Sequence, residues 1–161
     1  TQLVLSDGKS KRELPLRDLY KGYKDLNKKP EEHIEQIWFE LPDTNYYFNF
    51  EKVSKRTHLD IASVYTAILL KMNSVVLSSA SISAGGVGPV PMYLKKTSEL
   101  LKGKTLRQVQ GNEVIEEAIA ILQTEISPIS DARGTKEYKT LLLGQLIKAH
   151  LNPLNDVRNL R

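Results

Sequence analysis

Side chains with chemistry to offer are thinly spread along this chain of 161 residues. Histidines stand at His33, His58 and His150. No two share the i, i+4 spacing that puts two ligands on one helix face, so they match no metal motif and read as surface or edge histidines. There is no cysteine, which excludes disulfides, zinc–thiolate sites, iron–sulfur ligation by this chain and thiol catalysis. No serine occupies the Gly-x-Ser-x-Gly pattern of a nucleophile elbow. Glu116 and Glu117 are adjacent; on a helix they point apart and read as a solvated face. The run Gly85-Gly86-Val87-Gly88-Pro89-Val90-Pro91 looks phosphate-like, but a P-loop opens its helix with Gly-Lys-Ser/Thr. Pro89 and Pro91 instead remove backbone donors where a phosphate would be held. The run therefore reads as a tight strand-to-helix turn, with glycine serving positive φ or close packing. What remains is a basic break, Lys52, Lys55 and Arg56 with Asp60, at the end of an aromatic strand. A flavin, a nicotinamide phosphate or an acidic partner would find cations there. As residue types alone, they describe a solvated strand end.

Those residues must be held by the elements around them. Leu3-Val4-Leu5 and residues 11–16 read as two short strands joined at Asp7-Gly8, a hairpin. Residues 18–27 read as a loop or one helical turn, with Tyr20, Tyr23 and Leu26 at near-helical spacing. Residues 33–41 read as a strand ending at Pro42, and 46–53 as a strand with Tyr46, Phe48 and Phe50 on one face. Residues 61–72 fit helix or strand; their β-branched content favours strand. With 75–84 they make a hairpin across Met72-Asn73-Ser74. Three helices are expected at 92–101, at 112–125 with Asn112 as N-cap, and at 135–151 with Tyr138, Leu141, Leu142, Leu146 and Ala149 inward. Asp131 or Thr135 would cap the last helix, and Asp131 would pair with Arg133. Strands first and helices last is the α+β pattern: an antiparallel sheet of three or four strands packed on three helices.

Composition sets the outer bounds. A chain of this length with 40% hydrophobic and 26% charged residues and a net charge of +4 suits one globular domain, or one domain plus a trailing piece of another, not a disordered segment. Twenty-three basic residues are interspersed with nineteen acidic ones, without the stripe of a nucleic-acid binder. No apolar run approaches the ~18–20 residues of a membrane span. No signal peptide is visible, and the expected location is the cytoplasm. The opening at Thr1, inside a strand and without methionine, reads as a fragment.

Three motifs in order carry a resemblance. Lys52, Ser54 and Arg56, followed by Asp60-Ile61-Ala62 and Val64, resemble "K-x-S-x-R…D-I-A-x-V". Gly85-Gly86-Val87 with Pro89 and Pro91 resembles "GG-V-A-P-x-P". Pro128, Ser130-Asp131, Arg133-Gly134-Thr135 and Tyr138 resemble "P-x-S-D-x-R-G-S-x-x-Y-R". Ahead of them, Pro15-Leu16, Asp18 and Gly22-Tyr23 look like "x-P-L-x-D-F-F-x-G-Y". These patterns are those of the FAD-binding medium subunit of the xanthine dehydrogenase and carbon monoxide dehydrogenase class of molybdenum hydroxylases, in its C-terminal part.

The resemblance implies a chain in three pieces: residues 1–44 as the tail of the FAD-binding domain, 45–154 as the flavoprotein C-terminal domain, and 155–161 as a polar tail. It implies electron transfer from two-iron two-sulfur clusters through FAD to NAD, oxygen or another acceptor. A molybdopterin subunit oxidises substrate, and the partners are that subunit, an iron–sulfur subunit and the N-terminal FAD-binding half. The FAD would be shared with that half, and this chain alone would be catalytically silent. The backbone at Ile34, or at a neighbour such as Ile37, would run along the flavin's pyrimidine edge. Some family members place a lysine near the flavin just before "S-x-R"; the equivalent position here is Glu51, with Lys52 beside it on the opposite face. Arg56 and Asp60 would shape the mouth of the flavin site or pair with each other. Tyr65 stands where the family often has asparagine. The alternative is a stand-alone protein-interaction domain that kept the fold without flavin.

Overall fold

A computed structural model describes residues 1–152 and 154 and divides the chain at Asp43/Thr44 into two compact units. The expected polar tail at 155–161 lies outside the described residues.

The first unit is built on strands β1 (Gln2–Ser6), β2 (Lys11–Pro15) and, after two shorter strands, β5 (His33–Trp38), in the antiparallel order β2-β1-β5. Asp7 makes the first turn: its carboxylate accepts the amides of Lys9 (2.8 Å) and Ser10 (2.7 Å). Those amides hold the Asp7 carboxyl below its ordinary range. The core is four leucines, Leu3, Leu5, Leu14 and Leu19. A polar tie holds the lower end. Arg12 Nε and Nη2 donate to the two Glu32 oxygens at 2.7 and 2.9 Å, and the Lys29 amide donates to Glu32 at 2.7 Å. Glu32 is only 8% exposed; Arg12 first, then the Lys29 amide, lower its pKa to about 2.

Two sequence expectations change here. Residues 18–27 are neither loop nor helix but a small hairpin, β3 (Tyr20–Gly22) with β4 (Asp25–Leu26); the helical turn lies earlier, at Leu16–Asp18. The Tyr20–Tyr23–Leu26 spacing imitates a helix, but Lys24 sits at φ 57° and turns the chain back. The strand expected over 33–41 stops at Trp38, because β1 is five residues long and Gln2 opposite Trp38 is its last pairing.

The second unit is a four-stranded antiparallel meander, β6 (Tyr46–Val53), β7 (Val64–Asn73), β8 (Val76–Gly85) and β9 (Met92–Tyr93), in sequential order. In β7, Val64, Thr66, Ile68 and Leu70 are buried while the alternate residues are only partly so, the period-two signature of a sheet covered on one face. The cover is α1 (Lys95–Leu101), α3 (Asn112–Gln123) and α4 (Lys136–Leu151), with a four-residue turn, α2 (Leu106–Val109), between the first two. Ile68, Leu77, Ile82, Leu122, Leu143 and Ile147, all fully or nearly fully buried, belong to the core between sheet and helices. This is the α+β architecture expected.

Several local details differ from expectation. Met92 begins no helix; Met92 and Tyr93 pair with Ala84 and Ser83, since Pro89 and Pro91 keep the approach extended. The N-cap of α3 is Gly111, not Asn112, because the Gly111 amide closes the preceding turn onto the Gln108 carbonyl at 3.0 Å. Thr135 does cap α4, accepting the Tyr138 amide at 3.2 Å. The inward face of α4 is rotated from the expected one. Lys139, Leu143, Leu146, Ile147 and His150 are buried, whereas Tyr138 and Leu141 are exposed. Two polar residues on the buried face conceal it from a hydrophobicity reading.

Candidate functional site

The loop 54–62 joins β6 to β7 and carries Lys55, Arg56 and Asp60 of the basic break; Lys52 stands at the end of β6 beside it. Lys52 Nζ, from the end of β6, donates to the Asp60 carbonyl at 2.8 Å. The Asp60 carboxylate accepts the Arg56 amide at 2.9 Å through one oxygen and the Ile61 amide at 3.0 Å through the other. The Arg56 guanidinium reaches Asp60 only at 3.5 Å and is largely exposed, so that ion pair adds little in water. The Arg56 amide, and after it the guanidinium, hold the Asp60 carboxyl below its ordinary range. Ser54 Oγ closes the loop on the Arg56 carbonyl at 2.8 Å. Of the residues that sequence pointed to around a flavin, the structure brings Lys52, Arg56 and Asp60 together here. Asp60 organises the backbone, leaving both cations outward.

The base of the loop is fixed from three sides. The Ser63 amide donates to the Val53 carbonyl at 2.8 Å, and Ser63 Oγ to the Arg133 carbonyl at 2.9 Å. Gly86, at φ 82°, packs so tightly here that a Cβ would lie 2.2 Å from the Ser63 carbonyl oxygen. This glycine serves backbone approach rather than a phosphate.

Beside Lys52 the outer sheet face offers an aromatic surface. Lys52 pairs across the strands with Tyr65, and Tyr65 with Gly85. The Tyr65 ring lies over Gly85, where a Cβ would come within 2.0 Å of it. Phe50 approaches with ring centroids 6.1 Å apart, a tilted contact. Phe48 and Phe50 sit on this same uncovered face. Glu51 points to the other face and accepts Asn49 Nδ2 at 3.0 Å. Only the strand alternation signalled this shelf; the packing of Tyr65 on Gly85 left no trace in sequence.

His150 is not a surface histidine but fully buried. Its Nδ1 meets Asn49 Nδ2 at 3.0 Å and its Nε2 meets Thr66 Oγ1 at 2.6 Å. Asn49 Oδ1 accepts the Phe50 amide, which turns its amino group toward His150. Nδ1 is therefore the acceptor, and Nε2–H donates to Thr66. Burial pushes the imidazole pKa down, against the opposing pull of Glu51. Among the described residues, no three His, Cys, Asp or Glu side chains form a metal-binding group. No helix among them is long and apolar enough to cross a membrane.

Ile34 and Ile37 lie in the first unit, on β5. Ile34 stands opposite Leu5 and Ile37 opposite Leu3, with a bulge between, so both share the face of the buried leucines. Both isoleucines are exposed.

Residues 49–154 match the CO dehydrogenase flavoprotein C-terminal domain. The chain belongs to that family. It is 28% identical over 132 residues to the carbon monoxide dehydrogenase medium chain of Afipia carboxidovorans, a match covering 82% of this chain and 44% of the relative. It is 31% identical over 151 residues to the xanthine dehydrogenase of Blastobotrys adeninivorans, covering 90% of this chain and 11% of that one. The nicotinate dehydrogenase FAD-subunit of Eubacterium barkeri is 26% identical, with 85% and 46% covered. Among solved structures, reconstituted CO dehydrogenase from Oligotropha carboxidovorans matches with a TM-score of 0.83 at 25% identity, over 93% of this chain and 51% of that one. The Hydrogenophaga pseudoflava carbon monoxide dehydrogenase shares the fold, with a TM-score of 0.87 at 22% identity, over 97% and 53%. The chain thus spans less than half of the curated relatives it matches.

Proposed function

We propose that this chain is the C-terminal part of the FAD-binding subunit of a molybdenum hydroxylase, acting in electron transfer within a complex of iron–sulfur and molybdopterin subunits. The observation that carries the reading is the Lys52–Arg56–Asp60 loop standing beside the Phe50–Tyr65 shelf, within a chain of this family. FAD, when bound, takes electrons from iron–sulfur centres and gives them to an acceptor.

The donor set fits one edge of such a ring. Lys52 uses one N–H on Asp60 and is otherwise exposed, so its remaining donors are open to carbonyl or nitrogen acceptors. Arg56 adds a second cation, and Phe50 and Tyr65 supply apolar surface. Residues 1–44, taken by themselves, would be the tail of the FAD-binding domain, with the backbone at Ile34, or at a neighbour such as Ile37, along a flavin's pyrimidine edge. The pyrophosphate would be held by the N-terminal half. The cations' role is to stabilise negative charge on the ring edge and orient it, without themselves exchanging electrons.

The test is stopped-flow kinetics of the complete enzyme. Lys52→Ala is expected to slow reoxidation by the acceptor about tenfold, the size of one lost charge-assisted hydrogen bond, and to slow reduction by substrate less. Equal slowing of both half-reactions, or none, overturns the assignment of Lys52. A native polypeptide without flavin absorbance overturns the reading as a whole.

A further inference from the structure

The motif on the other side of the loop's base has no role in the reading above, although it is tightly built. Lys139, in the first turns of α4, is buried, its side chain 3% exposed. Its Nζ meets Asp131 Oδ2 at 2.9 Å and donates to the Ile129 carbonyl at 2.8 Å. Asp131 also accepts the Arg133 amide at 2.8 Å and the Arg133 guanidinium at 3.2 Å. The turn is closed by reciprocal backbone bonds between Asp131 and Gly134, at 3.0 and 3.2 Å. The Ser130 hydroxyl accepts the Lys136 amide at 3.0 Å. A buried ammonium is tolerated only with such partners. Lys139 first, and then the Arg133 amide, hold the Asp131 carboxyl below its ordinary range.

What this clasp presents is a single carbonyl. Arg133 O accepts Ser63 Oγ, and Ser63 is 2% exposed. Ser63 is also the residue whose amide closes the 54–62 loop onto Val53 and whose own carbonyl abuts Gly86. The 131–134 turn is therefore one of three walls that set where β7 begins. Where β7 begins fixes the Asp60–Ile61 end of the loop, and through Asp60 the positions of Lys52 and Arg56.

We propose that Lys139, Asp131 and Ser63 are positioning residues: the Lys139–Asp131 clasp sets the Arg133 carbonyl, and through Ser63 fixes the loop that carries Arg56 and, by the Asp60 carbonyl, holds the Lys52 ammonium. The link to redox function rests on the flavin reading given above; the mechanical link does not. Asp131 and Lys139 bind each other, the Ile129 carbonyl and Arg133. They act through Ser63, and a substitution at either changes the loop while both cations remain in the chain.

The test uses the native flavoprotein with Ser63→Ala, Ser63→Thr and Lys139→Met, read in two ways. The first is site-resolved amide exchange at Arg56 and Ile61, the two amides bound to the Asp60 carboxylate. Ser63→Ala and Lys139→Met are expected to speed their exchange roughly fivefold to tenfold, as loss of one hydrogen bond does. The β7–β8 ladder should stay protected, and Ser63→Thr, which keeps the hydroxyl, should restore the native rate. Unchanged exchange at Arg56 and Ile61 in both variants overturns the proposal, as does acceleration across the whole second unit, which would mean simple destabilisation. The second reading is the reduction potential and visible spectrum of the flavin. A shift that Ser63→Thr reverses supports the link to redox function. Faster exchange without any flavin shift upholds the mechanical coupling and overturns the flavin assignment of the loop.

Discussion

The two units solve the same problem at different scales. The second buries a continuous apolar layer between a four-stranded sheet and its helices, with Ile68, Leu77, Leu122 and Ile147 at 0% exposure. The first has four buried leucines and leaves Tyr23, Ile34, Ile37, Trp38 and Leu41 exposed. Its order rests more heavily on the Arg12–Glu32 tie, two parallel charge-assisted bonds plus the Lys29 amide. The fraction of surface buried on folding rises with size, so polar fasteners carry a larger share of the order in the small sheet than in the larger one, which has them too.

The largest expected effect tests the apolar side. Ile68→Ala removes a fully buried side chain from the middle of β7 and should destabilise the second unit by about 2–5 kcal/mol, read from chemical denaturation by a probe confined to that unit. A loss well under 1 kcal/mol would mean its core is looser than the burial implies.

Acid should separate the units by mechanism. Glu32 has a native pKa of about 2 against 4.5 unfolded. The unfolded state takes up the proton first, so its stabilisation is complete above pH 4.5 and fades as pH falls from there towards 2. His150 has a native pKa below the ordinary 6.5. Its neutral form is the bonded one, since protonated Nδ1 would face the Asn49 amino group donor to donor. That stabilisation is present above pH 6.5 and begins to fade as pH falls below it. On acidification the second unit should therefore weaken first. Resonances of each unit followed by pH titration would show the order; His150→Gln should flatten the earlier slope and Glu32→Gln the later one. Simultaneous loss would contradict the separation.

The smallest effect concerns a local fastener in the second unit. Thr105 and Gln108 form a reciprocal capping box on α2, at 3.3 and 2.8 Å. Thr105→Ala should lower stability by about 1 kcal/mol, measurable as a midpoint shift in denaturant with an unchanged slope.

How far the sequence disclosed this molecule depends on whether alternation or packing decided the matter. Strands β6, β7 and β8 were legible because their apolar residues alternate and their β-branched content is high. The face of α4 was not, because Lys139 and His150 occupy buried positions and are satisfied by Asp131, Ile129, Asn49 and Thr66, partners distant in sequence. The hairpin at 20–26 was hidden for a different reason: a positive φ at Lys24, which no composition rule assigns to lysine. In the candidate site, the Lys52, Arg56 and Asp60 cluster could be read as a charged break. That Asp60 binds backbone amides, and that Ser63 ties the loop to Arg133, are facts of tertiary contact.

The aromatic strand has one more consequence. β6 is the end strand of its four-stranded sheet, paired there with β7 among the described residues, and it is eight residues long. Its outward row includes Phe48 at 63% and Phe50 at 50% exposure. The end strand of a sheet is a template on which another strand can grow, and natural sheets usually blunt it with charge, proline or a bulge. Here the charge on that row is Lys52, at the strand's far end. The residue proposed for a cofactor edge is thus also the charge beside two exposed aromatics, so removing it should lower solubility, whatever it does to redox kinetics.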